Sequence, residues 1–276
     1  MKGQIIRINS DLYTVSSDGA TFSCKCRGKF RKEKIIPLVG DYVLFNKDKL
    51  LIEEVLPRVN GFRRPKVANI DQAFIITSLK IPNFSDNLLD KLIVLMEMND
   101  VVPIICITKE DLMDSNELDD IYKILDYYKS IGYLVLSNND TDEILKLVEN
   151  KTSVFVGQTG AGKSSLLNKL NPNWKLEVGE VSQALGRGKH TTRVVELFDF
   201  CGGKLLDTPG FSSLEFSDYT KDEIKNAFVE FSDFPCIYRS CTHTKELECR
   251  VSLAVKDNNI LKSRYVNYLK FIEEVK

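Results

Sequence analysis

Near the middle of the chain stands Gly157-Gln158-Thr159-Gly160-Ala161-Gly162-Lys163-Ser164, followed by Ser165. The apolar run 154–156 before it and the periodic residues after it predict a strand, a glycine-rich loop and a helix in succession. Glycines let such a backbone approach phosphates, and the helix N-terminus attracts anions. Lys163 is expected to reach the β- and γ-phosphates, and the Ser164 hydroxyl to bind Mg²⁺. The segment therefore predicts a site for a nucleoside triphosphate and Mg²⁺.

A second motif follows the apolar pair at 205–206 and reads Asp207-Thr208-Pro209-Gly210. In GTPases, an aspartate at the end of such a strand holds Mg²⁺ through water, and the glycine amide senses the γ-phosphate. Asp207 and Gly210 are therefore candidate catalytic residues. Alone, the tetrapeptide could equally be an ordinary turn.

A third motif, Thr108-Lys109-Glu110-Asp111, ends the strand-like run 101–107 and resembles the guanine-reading N-K-x-D sequence. The Asp111 carboxylate would accept hydrogen bonds from guanine N1–H and the 2-amino group, which adenine does not offer. Thr108 stands where asparagine is usual, so we expect a shorter brace to the phosphate loop and weaker guanine affinity. Ser137 and Asn138, after a predicted strand at 133–137, form a further candidate base-contact loop.

The order of these motifs differs from the usual one, in which the phosphate loop comes first. The pattern predicts strands at about 73–78, 101–107, 133–137, 151–156, 193–199 and 203–207. It predicts helices at about 86–99, 116–130, 141–149 and 163–170. This alternation is typical of a parallel sheet covered by helices, with all three motifs at carboxyl ends of strands. The sequence thus predicts a circularly permuted α/β P-loop GTPase domain.

The polar stretch from Lys175 to Thr192 is predicted to be a switch that orders when a threonine meets Mg²⁺. Thr192, or else Thr191, is the candidate ligand. Phe211 stands where many GTPases carry a water-orienting glutamine, so slow intrinsic hydrolysis is expected. His190 could orient the attacking water or be an exposed switch residue; both interpretations stay open.

The first 66 residues carry 14 Lys and Arg against 7 Asp and Glu, although the whole chain has a net charge of only −1. Five β-rich runs, at 4–8, 12–15, 21–26, 42–45 and 50–56, predict a small OB-fold barrel in this region. The excess of positive charge in this region indicates a nucleic-acid surface, although a solvated charged loop is the alternative. The candidate RNA-binding residues are Lys25, Arg27, Lys29, Arg31, Lys32, Lys34, Arg63 and Arg64.

Three of the seven cysteines cluster near the C-terminus with one histidine, as Cys236, Cys241, His243 and Cys249. Three thiolates and an imidazole form the ligand set of a closed, tetrahedral Zn²⁺ site. Such a site has no open coordination position, so one structural zinc per chain is expected. Disulfides are the competing explanation, but the odd cysteine count and absence of a secretory signal argue against them.

Taken together, the motifs resemble the ribosome small-subunit-dependent GTPase A family over essentially the whole chain. The resemblance implies three domains: an OB-fold at 1–67, a circularly permuted GTPase domain at 68–220 and an α-helical zinc-binding domain at 221–276. It implies a GTPase of late small-subunit maturation, with GTP, Mg²⁺, zinc and ribosomal RNA as ligands or partners. Hydrolysis would be stimulated by the subunit and coupled to release. A cytoplasmic location is expected, because no run of eighteen apolar residues exists and the N-terminal residues are not signal-like. A monomer is also expected.

Two other classes of function share parts of this pattern. A P-loop ATPase or small-molecule kinase would also need Gly157 to Ser164, but not the Lys109 and Asp111 pair. A non-catalytic RNA-binding adaptor would explain the barrel and the zinc module, but it would not need an intact phosphate loop.

Overall fold

The computed structural model describes residues 1–62, 65–174, 176, 195–207, 215–238 and 240–275, without the side chains of Arg31, Lys32 and Asp207. Two compact units are distinguished within these ranges. The first comprises residues 1–73, 140–155 and the described part of 163–207. The second comprises residues 74–139, 156–162 and the described part of 215–275. No helix in the described ranges has the length and apolar character to cross a membrane.

The N-terminal strands form a closed barrel. They are β1 (Lys2–Asn9), β2 (Leu12–Ser17), β3 (Ala20–Cys26), β4 (Tyr42–Asn46) and β5 (Leu51–Val55), with helix α1 (Lys29–Lys32) between β3 and β4. β1 pairs with both β2 and β4, β3 pairs with β2 and β5, and β4 pairs with β5, which closes the ring. Alternating residues such as Ile5, Val15, Val43 and Ile52 are buried inside it. The predicted five-stranded barrel is thereby confirmed.

Three strands and two helices follow along the chain after the short ribbon of β6 (Gly61–Phe62) and β7 (Val67–Ala68). They are β8 (Gln72–Ser78), α2 (Asp86–Glu97), β9 (Val102–Thr108), α3 (Ser115–Ser130) and β10 (Leu134–Ser137). β9 lies between β8 and β10 and runs parallel to β10. Ser85 caps α2 through Leu88 N–H, and Asp114 and Glu117 form a reciprocal capping box on α3. These caps fix where both helices begin.

The first unit also contains α4 (Thr141–Val148), β11 (Thr152–Val156), α5 (Lys163–Leu170), β12 (Glu196–Phe200) and β13 (Gly203–Asp207). β11 and β13 are parallel, whereas β12 is antiparallel to β13. This antiparallel pairing corrects the expectation of a uniformly parallel sheet. Cys201 and Gly202 have φ of 49° and 78°. A two-residue turn with both φ values positive makes a tight hairpin, and a parallel crossover needs a far longer connection.

The C-terminal part of the second unit contains α6 (Lys221–Asn226), a 3-10 helix at Val229–Asp233, α7 (Arg250–Lys256) and α8 (Lys262–Glu273). The sequence predicts one helix at 221–231, but Phe228 leaves helical geometry at φ −86°, ψ 84° and its ring stacks on Phe231. It also predicts a helix from 258, but Asn258 has a φ of 60°, which ends α7 instead. Left-handed backbone cannot continue a right-handed helix.

Candidate nucleotide site and metal centre

The phosphate loop joins the end of β11 to the start of α5. Gly157, Gly160 and Gly162 have φ of 143°, 80° and 100°, values that L side chains rarely adopt. A Cβ on Gly157 would lie 2.2 Å from the carbonyl oxygen of Ile76, so no larger residue fits there. Gln158, Thr159 and Gly160 are exposed, whereas Ala161 is buried. The loop therefore has the backbone geometry that lets amide groups turn towards an anion.

The helix that follows begins with Lys163, Ser164 and Ser165. Lys163 is half-buried, and the loss of hydration lowers the pKa of its ammonium group. Desolvation disfavours the charged form, and a neighbouring anion would reverse that effect. Ser164 is 8% exposed and Ser165 is exposed. Lys163 therefore stands at a position where a bound phosphate would stabilise its charge.

The motif at the end of β9 is tied directly to the phosphate loop. The Thr108 hydroxyl donates to the carbonyl oxygen of Ala161 at 2.6 Å, and both groups are buried. Lys109 has a left-handed backbone with φ of 61°. Its ammonium group donates to the Gly160 carbonyl oxygen at 2.8 Å and also to the carbonyl oxygen of Ile81. The brace expected to suffer from threonine is therefore present, because the loop comes close enough for the shorter side chain.

The next two residues of the motif differ in their surroundings. Glu110 accepts from the Ser137 hydroxyl at 2.6 Å and from the Tyr122 hydroxyl through its other oxygen. Asp111 is exposed, and no hydrogen bond to its carboxylate is found among the described residues. Asp111 is thus available to a ligand.

The loop after β10 lies next to this motif. Ser137 is paired with Ile107 in the parallel register of β10 and β9. The Asn138 amide donates to the carbonyl oxygen of Ile107 at 2.9 Å. The structure therefore brings Ser137 and Asn138, Thr108 to Asp111 and Gly157 to Gly162 to one edge of the second unit.

Several predicted catalytic residues lie outside the described residues. They are His190, Thr191, Thr192 and Gly210, together with Phe211 and most of the proposed switch from 175 to 192. Asp207 ends β13, where it is paired with Glu196, but its side chain is outside the described part. The magnesium and water-orienting roles therefore stay predictions.

The four C-terminal metal-ligand candidates converge. Their ligand atoms all lie within 4.8 Å of one another. The His243 Nδ1 lies 3.5 Å from the Cys236 sulfur and 3.4 Å from the sulfurs of Cys241 and Cys249, and the sulfurs of Cys236 and Cys249 are 3.7 Å apart. Tetrahedral Zn²⁺, with Zn–S of about 2.3 Å and Zn–N of about 2.0–2.1 Å, requires S–N and S–S separations of about 3.6 and 3.8 Å. The cluster could therefore hold one zinc ion.

The surroundings of the cluster favour a ligand role. Burial lowers the pKa of His243, which favours the neutral imidazole that a metal needs. Cys249 caps α7, and its sulfur accepts from the Ser252 amide at 3.4 Å. Tyr265 donates to the carbonyl oxygen of His243 at 2.6 Å, which holds the loop from α8. Second-sphere contacts of this kind orient metal ligands.

One carboxylate organises the loop between the ligands. Glu246 accepts from the Thr242 amide at 2.6 Å, from the Thr242 hydroxyl at 2.7 Å and from the Thr244 amide at 2.8 Å. Burial alone would raise the pKa of Glu246, but these hydrogen bonds outweigh it and lower the pKa to about 2. The side chain is therefore ionised at neutral pH and holds the metal-binding loop in shape.

The basic candidates on the barrel are exposed where their side chains are described. Lys25, Arg27, Lys29 and Lys34 all face solvent, and Arg27 forms an ion pair with Glu53 at 2.6 Å. Arg63 and Arg64 lie outside the described residues, as do the side chains of Arg31 and Lys32. Arg58, another of the basic residues in the first 66 positions, donates to the buried Asp41 at 2.7 Å and 2.8 Å. Its role in the structure is to hold the barrel loop.

Comparisons with known proteins agree with these features. The RsgA GTPase model matches residues 55–217, and the RsgA N-terminal domain model matches residues 2–50. The small ribosomal subunit biogenesis GTPase RsgA of Enterococcus faecalis is 44% identical, with 100% of this chain and 95% of that protein covered. The chain belongs to the RsgA GTPase family. The RsgA protein of Bacillus subtilis is 43% identical, with 100% and 97% covered.

Two solved structures show the same architecture. YjeQ from Thermotoga maritima has a TM-score of 0.85 at 35% identity and covers 99% of this chain and 97% of its own. YloQ, described as a circularly permuted GTPase, has a TM-score of 0.81 at 39% identity and covers 99% and 94%. The permuted order read from the motifs of this RsgA family member is therefore confirmed, as are the N-terminal barrel and the cysteine and histidine cluster that could bind zinc.

Sequence reasoning did not identify Tyr122 or Glu246 in this RsgA family chain. Tyr122 meets Glu110 across 12 positions, because α3 turns back beside the loop after β9. Glu246 lies within the metal-binding cluster, but a lone glutamate beside a lysine resembles any solvated loop residue. Only their hydrogen bonds distinguish them.

Proposed function

We propose that this chain is a GTPase that binds the small ribosomal subunit and couples GTP hydrolysis to late subunit maturation and to its own release. The observation that carries the nucleotide part is the direct attachment of Thr108 and Lys109 to the phosphate loop, beside an exposed Asp111. A phosphate loop and a base-reading carboxylate held at a fixed separation suit a guanine nucleotide. The names of the relatives support the ribosomal part.

The proposed nucleotide-binding residues act through two kinds of contact. Backbone amides of the phosphate loop, Lys163 and Ser164 hold the phosphates and Mg²⁺, whereas Asp111 reads the base. The full set is Thr108, Lys109, Glu110, Asp111, Ser137, Asn138, Gly157, Gln158, Thr159, Gly160, Ala161, Gly162, Lys163, Ser164 and Ser165.

For hydrolysis we propose that Mg²⁺ is bound by Ser164 and Thr192 and, through water, by Asp207, with the Gly210 amide at the γ-phosphate. His190 is the candidate for orienting the attacking water. Since Phe211 cannot do this, turnover by the free protein is expected to be slow, and the small subunit is expected to stimulate it.

The remaining parts of the proposal concern structure and partners. One structural zinc ion is held by Cys236, Cys241, His243 and Cys249. The barrel binds ribosomal RNA through Lys25, Arg27, Lys29, Arg31, Lys32, Lys34, Arg63 and Arg64. We further propose domains at 1–67, 68–220 and 221–276, and a cytoplasmic monomer.

The decisive experiment is phosphate release from GTP and from ATP by the purified chain alone, with isolated small subunits and with isolated large subunits. Small subunits should raise GTP turnover by at least about tenfold, equivalent to about 1.4 kcal/mol in the barrier. Large subunits should have no comparable effect. Equal turnover with ATP would favour an ATPase or kinase, and no turnover under any condition would favour a non-catalytic RNA-binding adaptor.

A further inference from the structure

The carboxylate of Glu110 connects three separate segments of the second unit. Glu110 lies in the 3-10 turn Glu110–Leu112, directly after β9. One of its oxygens accepts from Ser137 at the end of β10, and the other accepts from Tyr122 on α3. Both donors are hydroxyl groups, and hydrogen bonds from a hydroxyl to a charged carboxylate are short and strong. The Ser137 bond, at 2.6 Å, has that length.

These bonds link the two loops that would contact a base. Asp111 is the next residue after Glu110, and Asn138 is the next residue after Ser137. A second link already joins the same loops, because the Asn138 amide donates to the carbonyl oxygen of Ile107 at 2.9 Å. The backbone link and the Glu110 link together hold the loop after β10 against the loop after β9.

Glu110 also differs from Asp111 in what remains for a ligand. Each of its two oxygens receives a hydrogen bond within the protein, and the residue is half-buried. Asp111 is exposed and receives none from the described residues. The two adjacent carboxylates therefore differ in what they can bind. The Asp111 carboxylate is exposed to a ligand, whereas the Glu110 carboxylate is hydrogen-bonded within the protein.

We propose that Glu110 is a positioning residue for guanine, which acts through Ser137 and Tyr122 and does not touch the base. It holds the loop of Asn138 at the distance from Asp111 that a purine ring requires. This inference rests on the proposed guanine-nucleotide site; it gives Glu110 and Ser137 an indirect role there and adds Tyr122, which lies outside the base-reading motifs. Pre-ordering two loops before the ligand arrives raises affinity because less freedom is lost on binding.

The test measures equilibrium binding of fluorescent GDP and its dissociation rate on the full chain. Glu110→Ala should weaken GDP binding by at least about tenfold, or about 1.4 kcal/mol, mainly through faster dissociation. Glu110→Gln keeps an acceptor oxygen and an amide that can bond to the hydroxyls, so it should restore most of the affinity. The control is Asp119→Ala, which removes one exposed carboxylate from α3 and should bind GDP like the wild type.

A double-mutant cycle then asks whether Glu110 acts through Ser137. Ser137→Ala should weaken binding in the wild-type background and have little further effect when Glu110 is already alanine, since coupled residues are not additive. Tyr122→Phe gives the same test from α3, with less risk to folding. Additive losses, or wild-type affinity in Glu110→Ala, would overturn the proposal.

An Asp111→Asn variant separates this proposal from the proposed function. It should weaken GDP binding strongly, because the acceptor for two guanine donors is lost. If Asp111→Asn weakens binding while Glu110→Ala does not, the positioning role is wrong and guanine recognition stands. If Asp111→Asn binds GDP like the wild type, guanine recognition at this motif is wrong, and the positioning role falls with it.

Discussion

At position 108 the side-chain oxygen is one bond from Cβ, whereas the amide oxygen of an asparagine would be two bonds away. The Thr108 hydroxyl nevertheless reaches the Ala161 carbonyl oxygen. The phosphate loop therefore lies close enough for the shorter side chain. Gly162, the next residue of that loop, has a φ of 100°, which L side chains rarely adopt. Motif matching at position 108 alone could not predict this bond, because its acceptor lies 53 residues away.

The Thr108 bond can be removed with almost no change in side-chain shape. Thr108→Val should lower the free energy of unfolding by about 1–3 kcal/mol, because the buried Ala161 carbonyl loses its donor. It should also weaken GDP binding, since the phosphate loop loses a brace. Urea unfolding and GDP titration measure the two effects.

The matched variant is Thr108→Ser, which retains the hydroxyl and should retain both properties. If Thr108→Val unfolds and binds GDP like the wild type, the hydrogen bond from Thr108 to Ala161 does not hold the phosphate loop.

At the scale of elements, the short helix α7 and the loop before it depend on groups other than an apolar core. Cys249 caps the helix, Glu246 orders the loop, and Tyr265 reaches in from α8. A small segment of this kind usually needs a metal or disulfides to fold. The ligand spacing in the sequence was enough to predict the cluster. The supporting bonds could not be predicted, because each depends on the final loop geometry.

Loss of one ligand should therefore unfold this element locally. His243→Ala should reduce bound zinc from one per chain to a small fraction, because three ligands cannot hold it as four do. Amide protection should fall in residues 240–256, and barrel residues should keep theirs. Zinc analysis and hydrogen exchange provide the readouts, and a chelator added to the wild type should reproduce the pattern. Lys245→Ala, an exposed change in the same loop, is the control. One zinc per chain in His243→Ala would contradict the assigned ligand set.

The strands and helices of the phosphate-loop region were predictable to within about three residues, because periodicity and caps are local signals. The direction of β12 was predicted wrongly, although the sequence contained the information. The predicted strands at 193–199 and 203–207 leave only residues 200–202 between them, which is too short for a parallel crossover and long enough for a hairpin. Cys201 is an unusual residue for the left-handed position of such a turn.

At the scale of the whole molecule, a network of buried charged residues joins segments that are far apart in the sequence. Arg264 on α8 is fully buried and donates to Asp90 on α2 at 2.6 Å and to Glu230 at 3.1 Å. Tyr128 and Asn267 supply further donors to Asp90. No local pattern in the sequence predicts this network, because its members are up to 177 positions apart. Buried charges tolerate this environment only when they are paired.

Removing the shared cation should therefore be costly. Arg264→Met should lower the free energy of unfolding by about 3–5 kcal/mol, because two buried carboxylates lose their partner. Chemical unfolding followed by circular dichroism measures the change. Lys270→Met removes an equal charge from an exposed site on the same helix and should be close to neutral. If the two variants unfold at the same denaturant concentration, the network contributes nothing to stability.

The hydrogen bond between Thr108 and Ala161 also has a consequence for the order in which parts of the site form during synthesis. The two residues are 53 positions apart, with the base-reading motif earlier in the chain. At about 5–20 residues per second, the ribosome synthesises that motif roughly 3–10 s before the loop that braces it. The delay is longer for Asp90, because its partner Arg264 is synthesised 174 residues later. An unfinished chain that ends before residue 157 therefore carries the proposed base-contact loops without a phosphate loop, and a nucleotide can bind to both only after that loop has been made.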